Sequence, residues 1–110
     1  MTTTSSGRQA EELVAQHLQA DGHTIVGMNW RIRWCEIDIV STTKDCVFFT
    51  EVKYRSSSAW GDGFDYITPK KLNQMHFAAE FWLTQNKWTK ESQLLAAEVD
   101  AGKSINLVEL

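Results

Sequence analysis

Proline occurs once in the 110 residues, at Pro69, and glycine only six times, so nothing in the chain reads as a long flexible linker. Cysteine occurs twice. Two thiols cannot build a structural zinc site, and His17, His23 and His76 do not stand at ligand spacing from Cys35 and Cys46. Both cysteines are expected as free thiols of a reducing compartment. No window approaches the roughly 18 apolar residues of a membrane span, so no membrane partner is expected. The chain opens on a polar lead without a basic segment and apolar run, so no secretory signal is expected and the cytoplasm is the default setting. Basic excess is missing too: 11 basic against 14 acidic residues give a net charge of −3. That counts against a general nucleic-acid binder with one basic face, yet clustered acids can be neutralised by a bound cation. No internal repeat is present.

What is present suffices for one domain. The hydrophobic fraction is 43% and the charged fraction 23%, close to globular averages. Residues 1–6 are expected as a disordered polar lead and residues 7–110 as a single domain. Ala10, Leu13, Val14, His17 and Leu18 recur at helical spacing, predicting a helix over 7–21 that Ser5 or Ser6 caps and Asp21-Gly22 ends. Glu11 lies on the inner edge of that helix, where a carboxylate needs a partner. Strands are predicted over 23–31, 35–42 and 46–54. In the second, Glu36 and Asp38 alternate with Ile37 and Ile39; in the third, Val47, Phe49, Glu51 and Lys53 share a face. A Ser/Gly-rich loop carrying Trp60, Phe64 and Tyr66 follows. Thr68-Pro69 then starts a helix that runs to about Gln85, with Leu72, Met75, Ala79 and Trp82 on one stripe. Two short strands, 93–100 and 104–109, complete an α-β-β-β-α-β-β order, which fits an α/β sandwich with a mixed sheet.

The second and third strands are joined by Thr43, Lys44 and Asp45, a hairpin connection. A turn centred between Lys44 and Asp45 sets Asp38 opposite Glu51 and Glu36 opposite Lys53. Like charges facing each other destabilise a sheet and raise one another's pKa. The arrangement makes physical sense with a divalent cation between the acids, and oxygen ligands suit Mg2+ or Mn2+. Lys53, two residues after Glu51, emerges on the same face, where an ammonium can orient an attacking water and offset charge developing on a phosphate. Glu36 and Glu11 are candidates for further ligation. A solvated strand face gives the same Glu-x-Lys pattern, but Val47 and Phe49 on the Glu51 face set these groups at the end of an apolar surface.

Gly7-Arg8-x-Ala10-Glu11, Asn29-x-Arg31, Glu36-Ile37-Asp38-Ile39-Val40, Phe49-x-Glu51-Val52-Lys53-x-Arg55 and Ile67-Thr68-Pro69-x-Lys71, in this order over residues 7–85, resemble the bacterial UPF0102 (YraN-like) family. The resemblance implies a restriction-endonuclease-like fold related to the Holliday-junction resolvases. Asp38, Glu51 and Lys53 then match the PD-(D/E)xK nuclease motif, and Glu11 the first-helix acid of the resolvases. It also implies a Mg2+- or Mn2+-dependent endonuclease acting on branched or damaged DNA, with a homodimer as the expected assembly. The chain departs from the family pattern in four places. Ala10 and Cys35 stand where glycine is usual, Ile37 replaces the proline before Asp38, and Gln93 and Leu95 fill a late Arg-x-Asp position. The rival reading is a non-catalytic binding scaffold that keeps the nuclease fold.

Other residues have two readings each. Lys70 and Lys71, at a helix start that favours anions, are phosphate contacts or surface lysines. Arg31, Arg33 and Arg55 flank a nucleic-acid groove or are solvated edge charges. The loop aromatics stack on bases or pin the loop to its domain, the second being favoured. Trp30, Trp34 and Trp88 are packing residues or an exposed interface patch, and His17 and His76 are expected to be structural.

Overall fold

The computed structural model describes residues 5–56 and 64–110. The first four residues of the polar lead, and Trp60 in the Ser/Gly-rich loop, lie outside the described residues. The element order is α1 (Ser5–Ala20), β1 (Thr24–Arg31), β2 (Glu36–Thr42), β3 (Cys46–Arg55), α2 (Pro69–Gln85), β4 (Glu91–Asp100) and β5 (Ile105–Glu109). All seven expected elements are present.

Helix α1 buries Ala10, Val14 and Leu18, one residue per turn. It includes Ser5 and Ser6, so neither serves as its cap. Its end is built as expected: Gly22 takes φ 97°, and the N–H groups of Gly22 and His23 donate to the carbonyls of Gln19 and Leu18. Thr68 caps α2 by accepting the Lys71 N–H at 3.1 Å, with Pro69 in the first turn. Met75, Ala78 and Ala79 form the buried stripe. His17 and His76 are exposed, contrary to the structural role expected of them. Their helical spacing to apolar residues places them at the stripe's margin, where the side chains turn outward.

The strands form one sheet in the order β1-β2-β3-β4-β5. Three pairings are antiparallel; β3 and β4 are parallel, as a helical crossover through α2 requires. The helices cover opposite faces. One core joins Met75, Ala78 and Ala79 of α2 to Ile37, Val40, Val47, Phe49 and Leu94. The other joins Ala10, Val14 and Leu18 of α1 to Ile39, Leu95, Ala97 and Val99. The result is a mixed sheet between two helices, compatible with the restriction-endonuclease-like sandwich.

Two details correct the simple alternation. Ile37 packs in the α2 core and Ile39 in the α1 core, so they do not share a face. The break falls at Asp38, and its neighbour Asn29 on β1 has φ 51°, the left-handed region. The ladder skips both residues while pairing Met28 with Ile39 and Trp30 with Ile37. In addition, β2 and β3 pair from Thr42/Val47 only to Ile39/Thr50. Glu36 therefore faces Arg31 of β1 and not Lys53.

Candidate active site

Where β2 leaves β3, the Asp38 side chain replaces the ladder: Oδ2 accepts the Val52 N–H at 2.8 Å. Asp38 is 9% exposed. Its carboxyl lies beside that of Glu51, close enough for the two acids to influence each other's ionisation. Burial, with the Glu51 charge beside it, pushes the Asp38 pKa up from 3.8 to about 8, against the opposing Val52 N–H. Burial also raises Glu51 above its usual 4.5, opposed chiefly by the Lys71 ammonium. Without a cation, two adjacent buried carboxylates cannot both ionise cheaply.

Lys71 comes from the first turn of α2, and its Nζ lies 3.0 Å from Glu51 Oε2. Its neighbour Lys70 is exposed. Lys53 is exposed on the Glu51 face, with its ammonium 6.0 Å from the centre of the Tyr66 ring. Tyr66 itself donates to the Ala97 carbonyl at 3.3 Å, which ties the loop before α2 to β4. Burial raises its hydroxyl pKa, and the charges of Glu51, Glu98 and Asp38 add to the effect. Arg55 is ion-paired with Glu98 of β4, and both are largely buried. Asp38, Glu51, Lys53, Tyr66 and Lys71 thus converge where β2 parts from β3 and the first turn of α2 comes over the sheet, midway along the parallel β3–β4 pair.

Glu11 is buried on α1 and accepts a hydrogen bond from Asn29 Nδ2 at 3.2 Å. Burial raises its pKa, the Asn29 bond opposes this, and the charges of Glu36 and Glu51 add to the rise. Glu36 meets Arg31 at 3.4 Å on the surface. Among the described residues no three acidic, histidine or cysteine side chains come close enough to form a complete cage for an ion. The donor set fits a hard cation that retains its own waters: two adjacent acid groups at the edge of a core, with Glu11 and Glu36 acting on them electrostatically.

Three features escaped the sequence reading. Asn29 was legible only as a motif member, although asparagine is a residue that tolerates positive φ. Glu98 carried no signal, because its partner Arg55 is remote in sequence. For Lys71 the sequence offers a phosphate contact or a surface lysine; its pairing with Glu51 depends on how α2 docks.

A five-stranded mixed sheet between two helices, with a buried acid pair where β2 leaves β3, is an α/β architecture compatible with the nuclease-like sandwich. The chain belongs to the uncharacterised protein family UPF0102, whose profile matches residues 10–106. It is 40% identical over 85 residues to a UPF0102 protein of Pseudomonas aeruginosa, covering 76% of this chain and 68% of that one. A UPF0102 protein of Stutzerimonas stutzeri is 38% identical over 87 residues, 78% and 72% of the two chains. One from Acidothermus cellulolyticus is 40% identical over 84 residues, 76% and 64%. No described helix is long and apolar enough to cross a membrane.

Proposed function

We propose that this protein is a divalent-cation-dependent endonuclease that hydrolyses phosphodiester bonds in DNA, branched or damaged forms being the expected substrate, in the cytoplasm. One observation carries the reading: two acids, Asp38 and Glu51, lie side by side and largely buried inside the fold, an arrangement that costs stability unless it serves a charged ligand. Asp38 and Glu51 would hold Mg2+ or Mn2+, with Glu11 assisting. When bound, the ion supplies Lewis-acid stabilisation of charge on the phosphate and favours deprotonation of the attacking water. Lys53 positions that water. Lys71, with one flexible stem between α2 and Glu51, can release its carboxylate and meet a phosphate oxygen. Lys70, exposed in the same turn, adds a second cation.

A non-catalytic binding module is the second reading. The ion pair that engages Glu51 and the net charge of −3 favour it. Titration with Mn2+, followed by cleavage of a panel of branched, nicked and single-stranded DNAs, separates the two. The nuclease reading predicts Mn2+ binding and cation-dependent cutting, both lost in Asp38→Asn and Glu51→Gln. Binding of DNA with no cutting at any Mn2+ or Mg2+ concentration would establish the module instead.

A further inference from the structure

The connection between β1 and β2 and the outer side of α2 expose large aromatic side chains together: Trp34 is 66% exposed, Phe77 51% and Phe81 43%. Trp34 and Phe77 meet edge to face with ring centres 6.1 Å apart. Three large rings left in water on one surface are more than scattered apolar exposure, and such a patch marks a binding face. Although the chain is acidic, cations outnumber acids on its rim, with Arg31, Arg33 and Lys70 against Glu80 between Phe77 and Phe81. The Arg33 guanidinium lies 5.6 Å from the centre of the Trp34 ring, and Lys70 lines the groove of ≈ 520 Å³ between Trp34 and Phe77. An isologous dimer through this face would set Arg33 and Lys70 of the two copies against each other, whereas a polyanion with flat apolar units matches both parts of it.

The groove lies at the start of α2, the turn that also carries the Glu51 partner Lys71. Cys35 forms part of its wall and feels the charge of Lys71, the residue that holds Glu51. Lys70 joins the two places along the chain.

We infer that this face is a stacking platform for unpaired bases of a single strand or of the splayed arm of a branched DNA. The phosphates meet Arg33 and Lys70, and the strand leads from Trp34 toward Glu51 and Asp38. Bases inside a duplex are stacked on each other and cannot use the platform, so it selects unpaired DNA. The inference rests on the nuclease reading and names its substrate class.

The test is fluorescence anisotropy of a labelled short oligothymidylate with the full chain in EDTA, where no cutting interferes. Trp34→Ala and Phe77→Ala are each expected to weaken binding about ten-fold or more, while Trp34→Phe, which keeps a ring, stays within about three-fold of wild type. An abasic strand of equal length is expected to bind wild type and Trp34→Ala alike. Circular dichroism confirms that the exposed-site variants are folded. Equal oligothymidylate binding by wild type and Trp34→Ala would overturn the platform. So would a dimer that Trp34→Ala splits while strand binding is unchanged, which would assign the face to self-association. Trp34-dependent binding with no cleavage of any DNA would remove the activity and keep the platform. Cleavage without Trp34-dependent binding would do the reverse.

Discussion

Asp38 accepts the backbone N–H of Val52 at 2.8 Å, so an ionisable side chain occupies the place where a strand carbonyl would continue the β2–β3 ladder. That bond fixes the carboxyl against the sheet edge and beside Glu51. Asp38 is tied to the fold by one oxygen and lies beside the Glu51 charge, so its protonation and the protein's stability are linked.

The folded-state pKa of Asp38 is raised, from 3.8 to about 8. Between these values the folded chain keeps a proton that the unfolded chain has lost. Unfolding then releases a proton, so stability without added cation falls as pH rises through this window. Asparagine at this position keeps an oxygen for the Val52 N–H and cannot ionise. Asp38→Asn is expected to flatten the decline and to exceed wild type by at least about 1 kcal/mol at pH 8. At pH 4 the two should be nearly equal. Urea unfolding midpoints across this range check it.

Lys71→Met removes the cation 3.0 Å from Glu51. The two side chains are 32% and 14% exposed, so solvent screens part of the pair, and the loss of stability is expected to be about 1 kcal/mol at neutral pH. The Glu51 carboxyl, already above its usual value, is expected to move further up. Carbon-detected NMR of the glutamate carboxyl groups gives the shift directly.

Arg55 stands on the expected nucleic-acid fringe, yet its partner is Glu98 and the pair is 20% and 17% exposed. Arg55→Met strands a largely buried acid and is expected to cost about 1–3 kcal/mol. Adding Glu98→Gln should restore part of it. Denaturant unfolding of the two single variants and the double variant measures the coupling.

Asn29 combines φ 51° with a hydrogen bond to Glu11. Asn29→Gly keeps the backbone and loses the bond, whereas Asn29→Val loses the bond and forces a β-branched residue into the left-handed region. The valine variant is expected to be less stable than the glycine variant by about 1–2 kcal/mol. Thermal unfolding of both, compared with wild type, separates backbone strain from the lost contact.

The parts of this molecule legible in its sequence are those set by local spacing. Helical recurrence marks Val14 and Leu18, Gly22 marks the end of α1, and Thr68-Pro69 the start of α2. The short Thr43–Asp45 connection fixes the hairpin register, since Ile39 does pair with Thr50 and Val40 with Phe49. Alternation carries the register outward only while the ladder lasts. It could not show that β2 breaks at Asp38, because that break depends on Asn29 across the sheet. Nor could it show Glu36 turning to Arg31 or Lys71 reaching Glu51, since both depend on where separate elements dock.

The central claim is that Asp38 and Glu51 together hold a divalent cation. A crystal soaked in Mn2+ at pH 8, with anomalous data collected, tests it most directly. The account predicts an anomalous peak in contact with both carboxylates, with the Lys71 ammonium withdrawn from Glu51. A soaked crystal with no peak there, and Lys71 still paired to Glu51, would contradict it.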